Sequence, residues 1–412
     1  MAQKYPFSMW VYNPLSDFPP EELEKWVECG MSHPMAPKTY YGKDDPRILI
    51  PYLDKAEELG MKLIINYEDF AYQCIDQVGD EEYERRFREV YEPLKGHPAL
   101  YGFYAGDEPN RRISFDQTKR CFAIQKKVAP ELKPFINLIG GMSHKKENEL
   151  LDLDLGEWFK LMKEVGCDYV SQDAYGCMIN HGMNDNCITE HLHEVKDIVE
   201  AGEAAGVDVW CNMLSSGHNV FDPPTEAQMF WQINVAAAQG CRGGIWFRFY
   251  DREIGHDYFG SPIDEFGDLT EAYYGMKRSQ RRFNNHYGEL LMSLKRKRTF
   301  MTGYIDRRDL YPKLTDDAHD LVKIDGYEDG IISFFEDEEG VEYICIVNFS
   351  MKYMASWSLT FDTSKCRVDE VIFNGKSKGN FDGDYGRVKD GICKAELPYR
   401  VGEMRMFRII RK

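Results

Sequence analysis

The 412-residue chain has no CxxC pair, no His/Cys cluster at zinc spacing, no GxSxG elbow within residues 1–298 and no GxGxxG loop after an early strand. Each absence removes a chemistry. A zinc centre needs clustered His and Cys ligands. A serine hydrolase of the elbow type needs its strained nucleophile turn, and a dinucleotide fold needs glycines against the pyrophosphate. His218 and His256 lack paired metal spacing, and Cys177 near His181 is a weak Cys–His proximity. No metal and no organic cofactor is expected.

Basic charge is scarce as well: 51 Lys and Arg face 69 Asp and Glu, a formal charge of −18. That field repels polyphosphate, so nucleic acid and anionic membrane are poor partners. No 18-residue apolar run is present, and the opening "MAQKYPFSMWVYNP" lacks the basic-then-apolar plan of a leader peptide. The 11 cysteines are scattered, and Cys121, Cys211 and Cys345 sit inside apolar stretches. They are expected to be free thiols in a reducing compartment, which makes the protein cytoplasmic.

Aromatic residues are plentiful, with 7 Trp, 25 Tyr and 24 Phe making 14% of the chain. Such rings fill large cores and also stack on the apolar faces of sugars. Their use depends on the fold. Residues 1–298 alternate short apolar runs with amphipathic segments, eight times over. The runs are "FSMWVY", "MAPKTYY", "KLIINY", "ALYGFYA", "PFINLIG", "DYVSQDA", "DVWCNML" and "GGIWFRFY". Strands apolar on both faces, each followed by a helix, predict a parallel sheet closed into a (β/α)8 TIM barrel. Residues 299–412 instead alternate with period 2 between Gly, Asp and Asn turns, which predicts a small antiparallel β-sandwich. "KRKR" at 295–298, near the join, reads as a solvated helix end.

A barrel places its chemistry at the C-terminal ends of its strands. Those positions hold Trp10 and Tyr12 (run 1), Asn66 (run 3), Asp107 and Glu108 (run 4) and Asn137 (run 5). Asp173 and Tyr175 follow run 6, and Trp246, Arg248, Asp251 and Glu253 belong to run 8. Carboxylates, amides and rings without clustered metal ligands suit a polyhydroxylated ring, which wants hydrogen bonds at its edge and apolar contact on its face. Neither a metal nor a Lys base was found at the strand ends, which argues against a lyase or isomerase.

The fourth run ends in "YGFYAGDEPN". A barrel with "GDEP" there and a small trailing sandwich resembles the (β/α)8 glycoside hydrolases. In their large retaining clan, strand 4 ends in Asn-Glu-Pro or a relative of it, and that Glu is the general acid/base. Glu108 and Pro109 match, while Asp107 replaces the Asn. The clan's nucleophile is a Glu at the end of strand 7, where this chain has "CNMLSSGHN" and no acid. The adjacent pair also resembles the Asp-Glu of family 20 and 123 hexosaminidases. There the substrate's acetamido oxygen attacks the anomeric carbon. The resemblance implies that Asp107 would orient that group and that Glu108 would protonate the leaving oxygen.

The chemistry is consistent with this. A general acid must hold its proton near neutral pH, and a neighbouring negative charge raises its pKa. The competing role is structural, with Asp107 capping the following helix and Glu108 solvated in its first turn. Asp173 is expected to be an accessory carboxylate, nucleophile or base, with Asp251 as a similar candidate. Trp10, Tyr12, Asn66, Asn137, Tyr175, Trp246, Arg248 and Asp251 are expected to shape the sugar site. The expected function is an exo-acting glycoside hydrolase on small oligosaccharides. Its rivals are a barrel that binds sugar without cleaving it, and a retaining glycosidase that uses Asp173 or Asp251 on plain hexosides.

Overall fold

The computed structural model describes residues 4–140, 155–175, 185–219, 221–251, 258–303, 310–373, 376–378 and 385–412. Seven of the eight apolar runs form strands: β1 (Phe7–Met9), β2 (Leu63–Ile65), β3 (Leu100–Asp107), β4 (Phe135–Leu138), β5 (Tyr169–Asp173), β6 (Asp208–Leu214) and β7 (Gly243–Phe247). All pair in parallel, in the order β1-β7-β6-β5-β4-β3-β2.

The second run closes the gap between β2 and β1 without becoming a regular strand. Met35 N–H donates to Met9 O and Lys38 N–H to Asn13 O on one side. Ala36 N–H donates to Ile64 O and Thr39 N–H to Asn66 O on the other. Parallel bridges at Met35–Ile64, Thr39–Tyr67 and Pro14–Lys38 mark the same contacts. Pro34 and Pro37 have no N–H to give, so the segment can bond only at intervals. The eight staves nonetheless meet around the ring, as a TIM barrel requires.

Side chains alternate between two layers. Trp10, Met35, Ile64, Tyr104, Phe135, Tyr169, Trp210 and Ile245 fill the interior of the barrel. The alternate set packs outward against helices such as Arg112–Val128, Glu226–Ala238 and Glu271–Phe283. Nine of the 11 cysteines, all but Cys177 and Cys187, are unbridged thiols. Among the described residues no helix is long and apolar enough to cross a membrane.

A later β unit holds two antiparallel sheets, one of six strands and one of four. They share a core that includes Ile344 and Phe407 from the first sheet and Trp357 and Leu397 from the second. "KRKR" is not a helix end: it opens the edge strand Lys295–Thr302 of the larger sheet, so the expected join at 298/299 falls inside that strand. Helix Glu226–Ala238 is buried on nearly every side because the β unit covers its outer face. Trp231 Nε1 donates to Phe349 O at 2.8 Å, and Asn234 Nδ2 to Gly402 O at 2.8 Å.

Candidate active site

β3 ends in a backbone arrangement that presents two carboxyls. Gly106 has φ +129°, and a Cβ there would lie 2.3 Å from the Tyr72 ring. Only glycine fits that approach. The Tyr72 hydroxyl then donates to Asp107 O at 3.2 Å. Glu108 takes a left-handed conformation, φ +46°, which costs a non-glycine residue about 1 kcal/mol or more. Its N–H is held by Asn137 O at 3.0 Å, and its side chain is exposed in the mouth. The helix Arg112–Val128 starts later and is capped by Ser114 Oγ, which accepts from Arg111 N–H at 2.9 Å. The capping role considered for Asp107 is therefore filled by another residue.

Asn137, at the end of β4, joins the acids of its two neighbours. Its Nδ2 donates to Asp107 Oδ1 at 3.0 Å and to Asp173 Oδ1 at 2.8 Å. Its Oδ1 accepts from Asn212 Nδ2 at 2.8 Å and from Ser171 Oγ at 2.9 Å, which fixes the amide's orientation. Asn212 Nδ2 also donates to Asp173 Oδ1 at 2.5 Å. Tyr175 and Glu108 both hydrogen-bond to Asp173. Asp107, Glu108 and Asp173 thus form one cluster from two strands.

Three acids in contact cannot all ionise freely. Withdrawal from water pushes the Asp107 carboxyl up, and the charge of Asp173 pushes it further, while the amide of Asn137 and a backbone N–H pull the other way. Glu108 is raised by its partial desolvation, by its hydrogen bond to Asp173, and by the charges of Asp173 and Asp107. Its exposure limits the first of these, so its contact with Asp173 is the main cause. A proton held at Glu108 near neutral pH is what a general acid needs.

Tyr12 is half-buried and lies close enough to Asp107 and Asp173 to feel both charges. Trp10 is only 1% exposed and sits beneath Tyr12, stacked at 5.8 Å and 8°, so it supports the site without reaching it. Trp246 is fully buried and belongs to the outer layer. The period-2 alternation of β7 turns its neighbour Phe247 inward instead, against Tyr12 at 6.0 Å and Tyr175 at 5.9 Å. Phe247 is the ring that a one-residue register error hid in the sequence. Tyr104, 6% exposed, meets Trp10 edge-on at 5.8 Å.

Other expected residues stand apart from the cluster. Asn66 is buried and donates to Met35 Sδ. The Asp251 carboxylate accepts from Ser261 N–H and Ser261 Oγ. Arg248 is buried, with Nε donating to Tyr250 O at 2.6 Å and its guanidinium over the Tyr258 and Tyr12 rings at 4.4 and 5.6 Å. A Lys does stand at a strand end: Lys38, on the irregular second stave, lies 3.3 Å from Glu68 and 4.8 Å over the Tyr12 ring. The weak strand pattern of that segment concealed it. Cys177, His181, Glu253 and His256 lie outside the described residues.

Among the described residues, a His/Asp/Glu group close enough for a cation is His319, Asp320 and Glu342 in the β unit. His319 Nδ1 accepts backbone N–H groups from Leu321 and Val322, which puts its proton on Nε2, and both acids pair with Arg411. That donor set does not suit a metal.

No family model matches the chain, and no curated protein matches it by sequence. Solved structures do. A family 5 glycoside hydrolase from Bacteroides vulgatus aligns over 99% of this chain and 89% of its own, at TM-score 0.57 and 10% identity. The endo-β-1,4-mannanase from Thermotoga petrophila aligns over 100% and 98%, at TM-score 0.51 and 13% identity. The β-galactosidase from Halorubrum lacusprofundi aligns over 68% of this chain at TM-score 0.50 and 13% identity, and the chain spans 58% of its length. The likeness is one of fold, a TIM barrel with a β unit following it.

Proposed function

We propose that the protein is a glycoside hydrolase in which Glu108 is the general acid. Glu108 protonates the leaving oxygen. Asp107 receives the polar edge of the sugar, and Asp173 keeps the proton on Glu108. The observation that carries this reading is the sharing of Asn137 Nδ2 between Asp107 and Asp173, with Glu108 hydrogen-bonded to the latter.

The same grouping favours substrate assistance. A carboxyl hydrogen-bonded to Glu108 stands on the acid's own side of the site, a poor position from which to attack the opposite face. Facing them, β6 and β7 end in Asn212, Ser215, Phe247 and Arg248; the described acids that follow are the exposed Asp222, eight residues beyond β6, and Asp251, which Ser261 holds. An N-acetylhexosaminide brings its own nucleophile. Its acetamido oxygen attacks the anomeric carbon as Glu108 gives its proton to the departing oxygen, and Asp107 accepts the acetamido N–H.

A second reading has one observation of its own. Asp107 Oδ1 and Asp173 Oδ1 both accept from the Asn137 side-chain NH2 group, at 3.0 and 2.8 Å, which keeps them closer than the roughly 6.5–9.5 Å of inverting enzymes and near the ~5 Å of retaining ones. A retaining enzyme on plain hexosides would use Asp173 as nucleophile. We read the substrate as a small oligosaccharide cleaved from its end, the compartment as cytoplasmic, and the later β unit as a sandwich that braces the barrel.

A panel of nitrophenyl glycosides with and without the N-acetyl group decides the matter. Cleavage confined to N-acetyl compounds, and lost in Glu108→Gln, is the expected result. Cleavage of plain hexosides selects the second reading, and sugar binding by calorimetry without hydrolysis overturns both.

A further inference from the structure

Basic side chains are the minority in this chain, yet several gather at the seam between barrel and β unit. Helices Glu226–Ala238 and Glu271–Phe283 form one wall of a cleft, and Met354 with the turn at Arg400–Glu403 forms the other. The cleft has a volume of about 810 Å³. It continues into a depression of about 290 Å³ bounded by Tyr385 and Arg405. No residue of the carboxylate cluster lines it.

Four arginines converge there against two glutamates, in a protein where acids outnumber bases. Arg278 pairs with Glu226 at 2.6 Å, and Arg282 reaches Glu403 at 3.6 Å. Arg281 and Arg400 are exposed and have no carboxylate within ion-pair distance among the described residues. The C-terminal dipole of a helix favours Arg281 and Arg282, which lie in its last turn. It does not account for Arg400, which the other unit contributes to the same space.

We propose that this seam is a second binding site, separate from the barrel mouth, for a short oligosaccharide bearing carboxylate or sulfate groups. The planar forks of Arg281 and Arg400 match such anions in two-point hydrogen bonding. A lone inorganic anion would fill little of the cleft. Met354 (67% exposed) and Tyr385 (39% exposed) add apolar rim surface, which suits the faces of sugar rings. The anionic half of the assignment rests on the arginines, and the carbohydrate half rests on the glycosidase reading of the barrel.

Calorimetry at low ionic strength tests it with trigalacturonate, a sulfated trisaccharide, neutral maltotriose and inorganic sulfate. Each is titrated into the native protein and into Glu108→Gln. Both proteins are expected to bind at least one anionic trisaccharide equally, and the stronger of the two identifies the anionic group. Loss of hydrolysis in Glu108→Gln leaves this binding intact, so the two readings fail separately. The Arg281→Ala/Arg400→Ala protein, checked for an unchanged unfolding midpoint, should bind about tenfold more weakly or worse. The double Lys variant should lose part of that affinity. Equal binding of maltotriose, unchanged binding by the double Ala variant, or no binding of either anionic trisaccharide overturns the proposal. Inorganic sulfate binding as tightly as the trisaccharides means an adventitious ion only, and overturns it too.

Discussion

Asn212 Nδ2 donates to Asp173 Oδ1 across 2.5 Å, from β6 to β5. Asn212 ends the seventh stave, the place where the retaining clan keeps its nucleophilic Glu. An amide there supports the acid of the neighbouring strand and adds none of its own. The acids of the cluster gather on the β3–β5 side.

Asp173→Asn should move the alkaline limb of kcat/KM to lower pH. As the proposed general acid, Glu108 must be protonated to act, and beyond its partial burial Asp173 raises it by hydrogen bond and charge. Without that charge the proton leaves earlier as pH rises. At pH values above the limb, activity should fall about tenfold for each pH unit that it moves. A limb that stays in place would show that Asp173 does not tune the acid.

The acid cluster should also make stability depend on pH. Asp107 and Glu108 both titrate above the ordinary carboxylate range when folded, so the folded state binds more protons than the unfolded. Stability is then greatest below that ordinary range and declines as pH rises through the raised values. Asn137→Asp adds a fourth acid of the same shape and should steepen the decline, whereas Asn137→Ala should cost about 1–3 kcal/mol through lost hydrogen bonds. Urea unfolding at pH 5 and pH 8 reads both.

Gly106→Ala should be severely destabilising. Its Cβ meets the Tyr72 ring at 2.3 Å and its φ is +129°. Overpacking and backbone strain each cost about 1–3 kcal/mol. Tyr72→Leu added to it should recover only the packing share, which thermal unfolding of the single and double variants would separate.

Adjacent rings on β7 should fail in different ways. Trp246→Ala empties a buried site in the outer layer and should cost about 3–5 kcal/mol, with KM little changed in the protein that still folds. Phe247→Ala removes a ring beside Tyr12 and Tyr175 and should raise KM roughly two- to tenfold at nearly native stability. Equal KM effects would contradict the inward and outward assignment.

Apolar runs of the right length, separated by helical periodicity, were enough to read a barrel, because burial on both faces leaves a strand no polar side to disguise it. The end of the fourth run could be located by counting, and with it Asp107 and Glu108. Tertiary structure alone decided which acids touch. Asn137 meets Asp107, Asp173 and Asn212 only because parallel strands bring residues some 30 positions or more apart into lateral register. It also decided between Trp246 and Phe247, since a side-chain period of 2 sends neighbours to opposite layers and local sequence does not say which goes inward. Lys38 came to light the same way. Its stave is held by backbone bonds to strands on both sides, and only those contacts set Lys38 beside Glu68 and the Tyr12 ring.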